Sequence, residues 1–493
     1  MSENLKSKVV KGAFWNGLER FGTAFFLFVS NLVLARLLSP DDFGCIGMLM
    51  VFISISDAIV DGGFGAALVQ KKNVTQEDYS TIFVWNILVS IFLYVLLFLC
   101  APVIARFYNI ESLSLILRVQ GLVLLFNGFC IIQRSMLQKN LMFKKLAKVN
   151  ISATIVGTLI GIICAFIGYG VWSLVVKLLF TSIMASVVLW VGANWKPKIM
   201  FDYNSFKSLF SFGSFMFLTS ITNSIYQNTI SLVIGKSISS ASLGYFTQAR
   251  KLEDIPRQTI SSVVNNVSFP AFSAIQDNKD KMRDTFRKTN GILCFTNFSM
   301  TILLILIARP LIILLFSEKW VQSVQYFQVI CLYGLIMSSM ELNQQILKAT
   351  GKSNLLFWTG VVRRLFAITL IVTGAFWGIK GILVGYVVAQ YVSYAIVAYP
   401  MKELIGYSLL CQIKDVFPIF GVVTLVGILT YCICGLVNFT NNIAILMFVT
   451  FIFFTLLLTI SQNAKLDGYI YIRNVILQKY VKTSNNRNSD IRK

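Results

Sequence analysis

Residues 80–105 read STIFVWNILVSIFLYVLLFLCAPVIA, a run of 26 residues without a single charge. At about 1.5 Å of rise per residue, a helix of this length crosses the roughly 30 Å hydrocarbon core of a bilayer. Polar punctuation brackets it, KKNVTQED at 71–78 before and Arg106 after. The same alternation of apolar block and polar break continues along the chain. Blocks fall at 12–38, 43–69, 80–105, 112–133, 150–168, 171–192, 208–235, 241–269, 289–316, 323–347, 355–377, 381–401, 415–436 and 443–461, which predicts fourteen spans. The blocks are continuous, whereas strands of a membrane barrel would alternate over about ten residues. An all-α integral membrane protein is therefore expected.

Composition agrees with this reading. The 493 residues are 56% hydrophobic and only 13% charged, against about 45–50% and about 25% for soluble domains. A net charge of +22 would suit a nucleic-acid binder, but the basic residues sit in short loops between apolar blocks, which argues against nucleic acid. Their distribution orients the chain instead. Alternate loops, from the N-terminus through 134–149 and 270–288 to the tail after 462, hold 29 Lys and Arg. The intervening loops hold five: Arg36, Arg106, Lys236, Lys319 and Lys380. By the positive-inside rule, the basic side and both termini are cytoplasmic. Nine cysteines show no disulfide or metal spacing, and there is no histidine, the commonest metal ligand and general base. No metal, cofactor or catalytic residue is expected.

The chain also repeats itself. ARLLSPDDFG at 35–44 is answered by GKSISSASLG at 235–244, and Ala165-Phe166-Ile167-Gly168 by Ala375-Phe376-Trp377-Gly378. Each copy takes six spans, so two lobes of like orientation are expected, 1–205 and 206–404, related by an axis along the membrane normal. Two further helices fill 405–464, and a basic cytoplasmic tail fills 465–493. Internal repeats of this kind mark transporters that rock two lobes about a midplane site.

Charges inside the blocks mark that site. A charge at the bilayer centre costs at least about 2.5–3.5 kcal/mol on the insertion scale, so it normally faces a cavity or a partner. Arg250, Glu253 or Asp254, and Arg257 form a stripe on one face of the eighth span, which suits phosphate; an internal ion-pair ladder is the plainer reading. Arg20, Arg118 and Lys177 are further cationic candidates, with snorkelling an equal reading for the last two. Asp57 and Asp61 share a face of the second span, and with Glu341 they are the candidates for ion coupling. Cation in excess of anion suits an anionic substrate, and no glycine-rich nucleotide loop is present, so no ATP hydrolysis is expected.

Several segments carry a family likeness: LARLLSPDDFG (34–44), DGGFGAALVQKK (61–72), GYGVWSLV (168–175), LGYFTQARKLEDIP (243–256) and FPAFSAIQDNKDKMR (269–283). With the 14-span, two-lobe layout, they resemble bacterial polysaccharide-biosynthesis flippases of the colanic-acid and teichuronic-acid type. These belong to the multidrug/oligosaccharidyl-lipid/polysaccharide exporter superfamily. The resemblance implies a V-shaped pair of lobes around a cationic cavity. It implies movement of an undecaprenyl-pyrophosphate-linked oligosaccharide from the cytoplasmic to the periplasmic leaflet of the inner membrane by alternating access. O-antigen, capsule or exopolysaccharide synthesis would follow, with a polymerase and glycosyltransferases as partners and the transporter itself a monomer among membrane lipids. A peptidoglycan lipid-precursor flippase and a small-molecule or drug antiporter share the same layout. A membrane-embedded glycosyltransferase would need acidic residues on large outer loops, and those loops are short.

Overall fold

A computed structural model describes residues 3–192, 195–437, 441–466, 468–471 and 473–474. Every regular element among them is helical. The first half contains α1 (Glu3–Leu37), α2 (Pro40–Asp61), α3 (Phe64–Gln70), α4 (Gln76–Tyr108), α5 (Ser112–Gln120), α6 (Leu122–Lys139), α7 (Phe143–Ile167), α8 (Val171–Val191) and α9 (Tyr203–Ser237). After α10 (Ser240–Ser273) come α11 (Lys279–Leu306), α12 (Ala308–Phe316), α13 (Ser323–Ala349), α14 (Ser353–Gly374) and α15 (Gly378–Ala398). The chain closes with α16 (Met401–Ile405), α17 (Leu409–Gly435) and α18 (Asn442–Asn463). Lipid offers backbone groups no hydrogen bonds, so apolar runs must satisfy them internally as helix. The tail expected after 465 lies, from 475 onward, outside the described residues.

All fourteen expected blocks are occupied by helix, some of them by a broken pair such as α2–α3, α5–α6 or α11–α12. Among the described residues, eleven stretches are long and apolar enough to cross a membrane, and one of these, 353–405, contains both α14 and α15. Helices α9 and α10 are long, at 35 and 34 residues, but too polar to join that set. Their Ser, Thr, Asn, Gln and charged residues explain why.

Local chemistry sets the breaks. Ser39 and Asp42 form a capping box at the start of α2, and Thr75 with Asp78 does the same for α4, each pair satisfying two otherwise orphaned amide groups. Asp78 in addition takes the Lys71 ammonium at 2.7 Å. Asn109 ends α4 in the left-handed conformation that asparagine tolerates.

The repeat is visible at the first matched place. Ser239 caps α10 by accepting from the Ser242 amide, as Ser39 accepts from the Asp42 amide at the head of α2. Gly44 packs on the Ser240 carbonyl and Gly244 on the Pro40 carbonyl, and a Cβ on either glycine would overlap that oxygen. The matched glycines differ in place, Gly168 ending α7 and Gly378 opening α15, with φ of 93° and 68°.

Packing divides the chain into two compact units, Met1–Thr247 and Gln248–Lys493, with the division inside α10. The sequence repeat led to an expected boundary at 205/206. The two divisions differ because α9 packs on α2, α3 and α4. In the first unit, Phe64, Leu68, Ile82, Phe83, Ile132 and Trp195 form one core. In the second, α13 is central, touching α11, α12, α14 and α15.

Candidate functional site

The expected site residues fall in both units. In the first, α2 presents Ser54, Asp57 and Asp61. Asn127 of α6 donates to Asp57 Oδ1 at 3.0 Å, and Asn228 of α9 donates to Ser54 Oγ at 2.8 Å. Asp61 lies at the following helix break, with its Oδ1 close to Gly65 at the start of α3. The DGGFG motif is a helix break, with Gly62 and Gly63 at φ of 56° and 73°, a region costly for any residue with a Cβ. It brings the backbone against Gly213 of α9.

The three cations expected in this unit have separate surroundings. Lys177 of α8 donates to Ser30 of α1 at 2.7 Å, tying two helices together. Arg118 lies 4.5 Å over the Phe98 ring and donates to the Phe98 carbonyl at 3.4 Å. Arg20 is exposed on α1, while its neighbour Glu19 accepts from Asn150 of α7.

In the second unit the stripe on α10 is assembled. Arg257 pairs with both acids, Glu253 at 3.2 Å through Nε and Asp254 through Nη2. The ion-pair arrangement is thus present, with both acids engaged where the spacing left a choice of one. Arg250 also acts electrostatically on Glu253. Pro256 sits within the stripe and removes the amide that would bond the Leu252 carbonyl. A cavity of about 20 Å³ beside Arg257, bounded by Glu253, Ser261, Asn297 and Met337, has room for about one water. A phosphate at this guanidinium would therefore have to displace an acid.

Below Arg257 the polar face continues. Ser261 donates to Glu341 Oε1 of α13 at 2.7 Å, and Glu341 also feels Arg257, Lys348 and Arg363. One turn further, Gln345 bonds Asn265. Sequence reading missed Ser261, Asn265, Gln345 and Asn127. A signal for the α10 pair was available, since Glu253, Arg257, Ser261 and Asn265 recur every four residues within one block.

Residues 33–325, more than half of the chain, match the family described as polysaccharide biosynthesis protein. The chain belongs to this family. Two relatives set the scale of divergence. The teichuronic acid biosynthesis protein TuaB of Bacillus subtilis is 25% identical, over 87% of this chain and 89% of its own. The lipopolysaccharide biosynthesis protein WzxC of Escherichia coli is 24% identical, over 82% and 83%. Among solved structures, the lipid II flippase MurJ in an inward closed conformation superposes with a TM-score of 0.74 at 16% identity, covering 95% of this chain and all of that one. An inward-facing multidrug resistance transporter of the MATE family gives 0.59 at 14%, covering 78% and 95%. At these identities the two structures establish the fold. As a family member, the chain is a multi-pass helical membrane protein of polysaccharide biosynthesis.

Proposed function

We propose that this family member is a flippase that carries an undecaprenyl-pyrophosphate-linked oligosaccharide from the cytoplasmic to the periplasmic leaflet. The observation that carries the reading is Arg257, clamped by two carboxylates inside a helix of a polysaccharide-biosynthesis membrane protein. A diphosphate competing for the guanidinium exchanges one ion pair for another, so no charge is left bare in a poorly hydrated interior. Planar, bidentate recognition of phosphate favours Arg at this position over Lys. Ligand binding that rearranges these pairs differs between conformations, as a carrier requires.

On this reading the repeats 1–205 and 206–404 act as lobes, α9 and α10 span the membrane with the other twelve segments, and both termini are cytoplasmic. The relatives' names place them in the making of surface polymers, which supports a lipid-linked sugar as cargo and a polymerase as neighbour. Transport proceeds without chemical change to the cargo and without ATP hydrolysis by this chain. Asp57 and Glu341, each held by one neutral hydrogen-bond donor, remain candidates for ion coupling together with Asp61.

The test is export of surface polysaccharide from cells carrying Arg250→Ala or Arg257→Ala. A charge-assisted contact is worth roughly 1.5–3 kcal/mol, so each change should lower export about ten- to hundredfold at normal protein abundance. Arg257→Lys should restore part of it. Normal export in both alanine variants would remove these arginines from the transport path.

A further inference from the structure

We propose that the basic end of the α10–α13 seam holds an entry subsite for a hexosyl phosphate, built from Asn265, Phe269, Gln345 and Lys348. The proposal rests on the flippase reading and adds a place where the cargo is first held. Its basis is a register. Arg257 meets Met337, Ser261 meets Glu341, and Asn265 meets Gln345, three contacts at a constant offset of 80 residues. A constant offset means two parallel helices, and a step of four residues advances each contact by about 6 Å. The seam is a polar track that begins at Arg257 and reaches Asn265 after about 12 Å.

At its end the track opens into a cleft of about 380 Å³ that Phe269, Lys348 and Ser353 line together with the two amides. That volume is within the range of about 300–1,000 Å³ for small-molecule sites. The lining offers three kinds of recognition in one place. Lys348 is exposed and cationic, and it suits a phosphate. Phe269, 42% exposed, presents an aromatic ring to the apolar face of a sugar. The amides suit hydroxyl groups. Gln345 is only 2% exposed, and its Nε2 donates to Asn265 Oδ1, so the pair is preset. Asn265 Nδ2 also donates to the Ser261 carbonyl at 2.8 Å. Gln345 Oε1 and one Asn265 N–H then have no partner among the described residues. Glu341, the acid nearest along the track, is offset by Arg257, Lys348 and Arg363, so the phosphate is not repelled between the cleft and Arg257.

Saturation-transfer NMR with glucose 1-phosphate, on the purified full chain in detergent, tests the assignment. Transfer to the sugar ring protons is expected. Competition by glucose and by inorganic phosphate together should be stronger than by either alone. Lys348→Gln, at an exposed position, should weaken binding about tenfold, the effect of one charged contact. Gln345→Leu should act in the same direction. Equal transfer in wild type, Lys348→Gln and Gln345→Leu would overturn the subsite, as would no transfer at all. Loss in Arg257→Ala alone would place the ligand at Arg257 and leave the cleft without a role. Displacement by a short-chain phosphatidylglycerol but not by glucose would make the cleft a lipid-headgroup site and overturn the sugar assignment. Failure of the flippase reading is read separately, from export by the Arg257→Ala cells.

Discussion

Single residues in this protein carry roles that their type alone does not announce. Asp61 sits in a span with a carboxylate four residues away, yet its Oδ1 lies close to Gly65 in the glycine break that follows it. Gly63 does two things at once, holding a left-handed backbone and letting α9 approach at Gly213. Gly168 holds a left-handed backbone too, but a Cβ there would meet open space. The two therefore separate strain from crowding. Gly168→Ala should cost about 1–2 kcal/mol for the backbone alone. Gly63→Ala should add about 1–3 kcal/mol of overpacking. Thermal unfolding in detergent should show a clearly larger drop in midpoint for Gly63→Ala, and equal drops would mean that α9 simply moves aside.

At the scale of helices, buried amides lock neighbours into register. Asn343 of α13 and Gln412 of α17 exchange two hydrogen bonds, at 3.0 and 3.1 Å, and Tyr394 of α15 donates to Gln412 at 2.9 Å. Asn343 and Gln412 are fully buried. Removing one partner strands the other, at a cost of roughly 1–3 kcal/mol, whereas removing both costs less. A double-mutant cycle on the thermal midpoint, with Gln412→Leu, Asn343→Leu and the pair, should give single losses that do not add. Additive losses would show that the two amides act independently. The helices themselves were legible in the sequence as apolar blocks. The lateral partners were not, because Asn343 and Gln412 are 69 residues apart and nothing in either segment names the other. On α10 a four-residue polar period could be read, but not that α13 would answer it 80 residues later.

For the whole molecule, the loop charges make a claim that labelling can check. With 29 basic residues on one side and five on the other, Ser112 and Glu318 should lie outside and Asn140 inside. All three are exposed, so a cysteine at each is reachable from its own side of the membrane. In a cysteine-free background and intact cells, an impermeant thiol reagent should modify Cys at 112 and 318 and spare it at 140. Modification at 140 under those conditions would invert the topology and close the cytoplasmic route to the cleft at Lys348.

Sequence alone determined that this protein is a membrane-embedded bundle of helices. It could do so because a helix satisfies its own backbone, so an apolar run in lipid has one solution and each run can be read without the others. Tertiary structure decided which charges meet. Asp57 takes Asn127, Lys177 is given to Ser30, and Glu341 is met by Ser261. Those pairings depend on the rotation and register of one helix against another. Both are set by side-chain packing across gaps of up to 147 residues, a property of the assembled bundle and of no single segment.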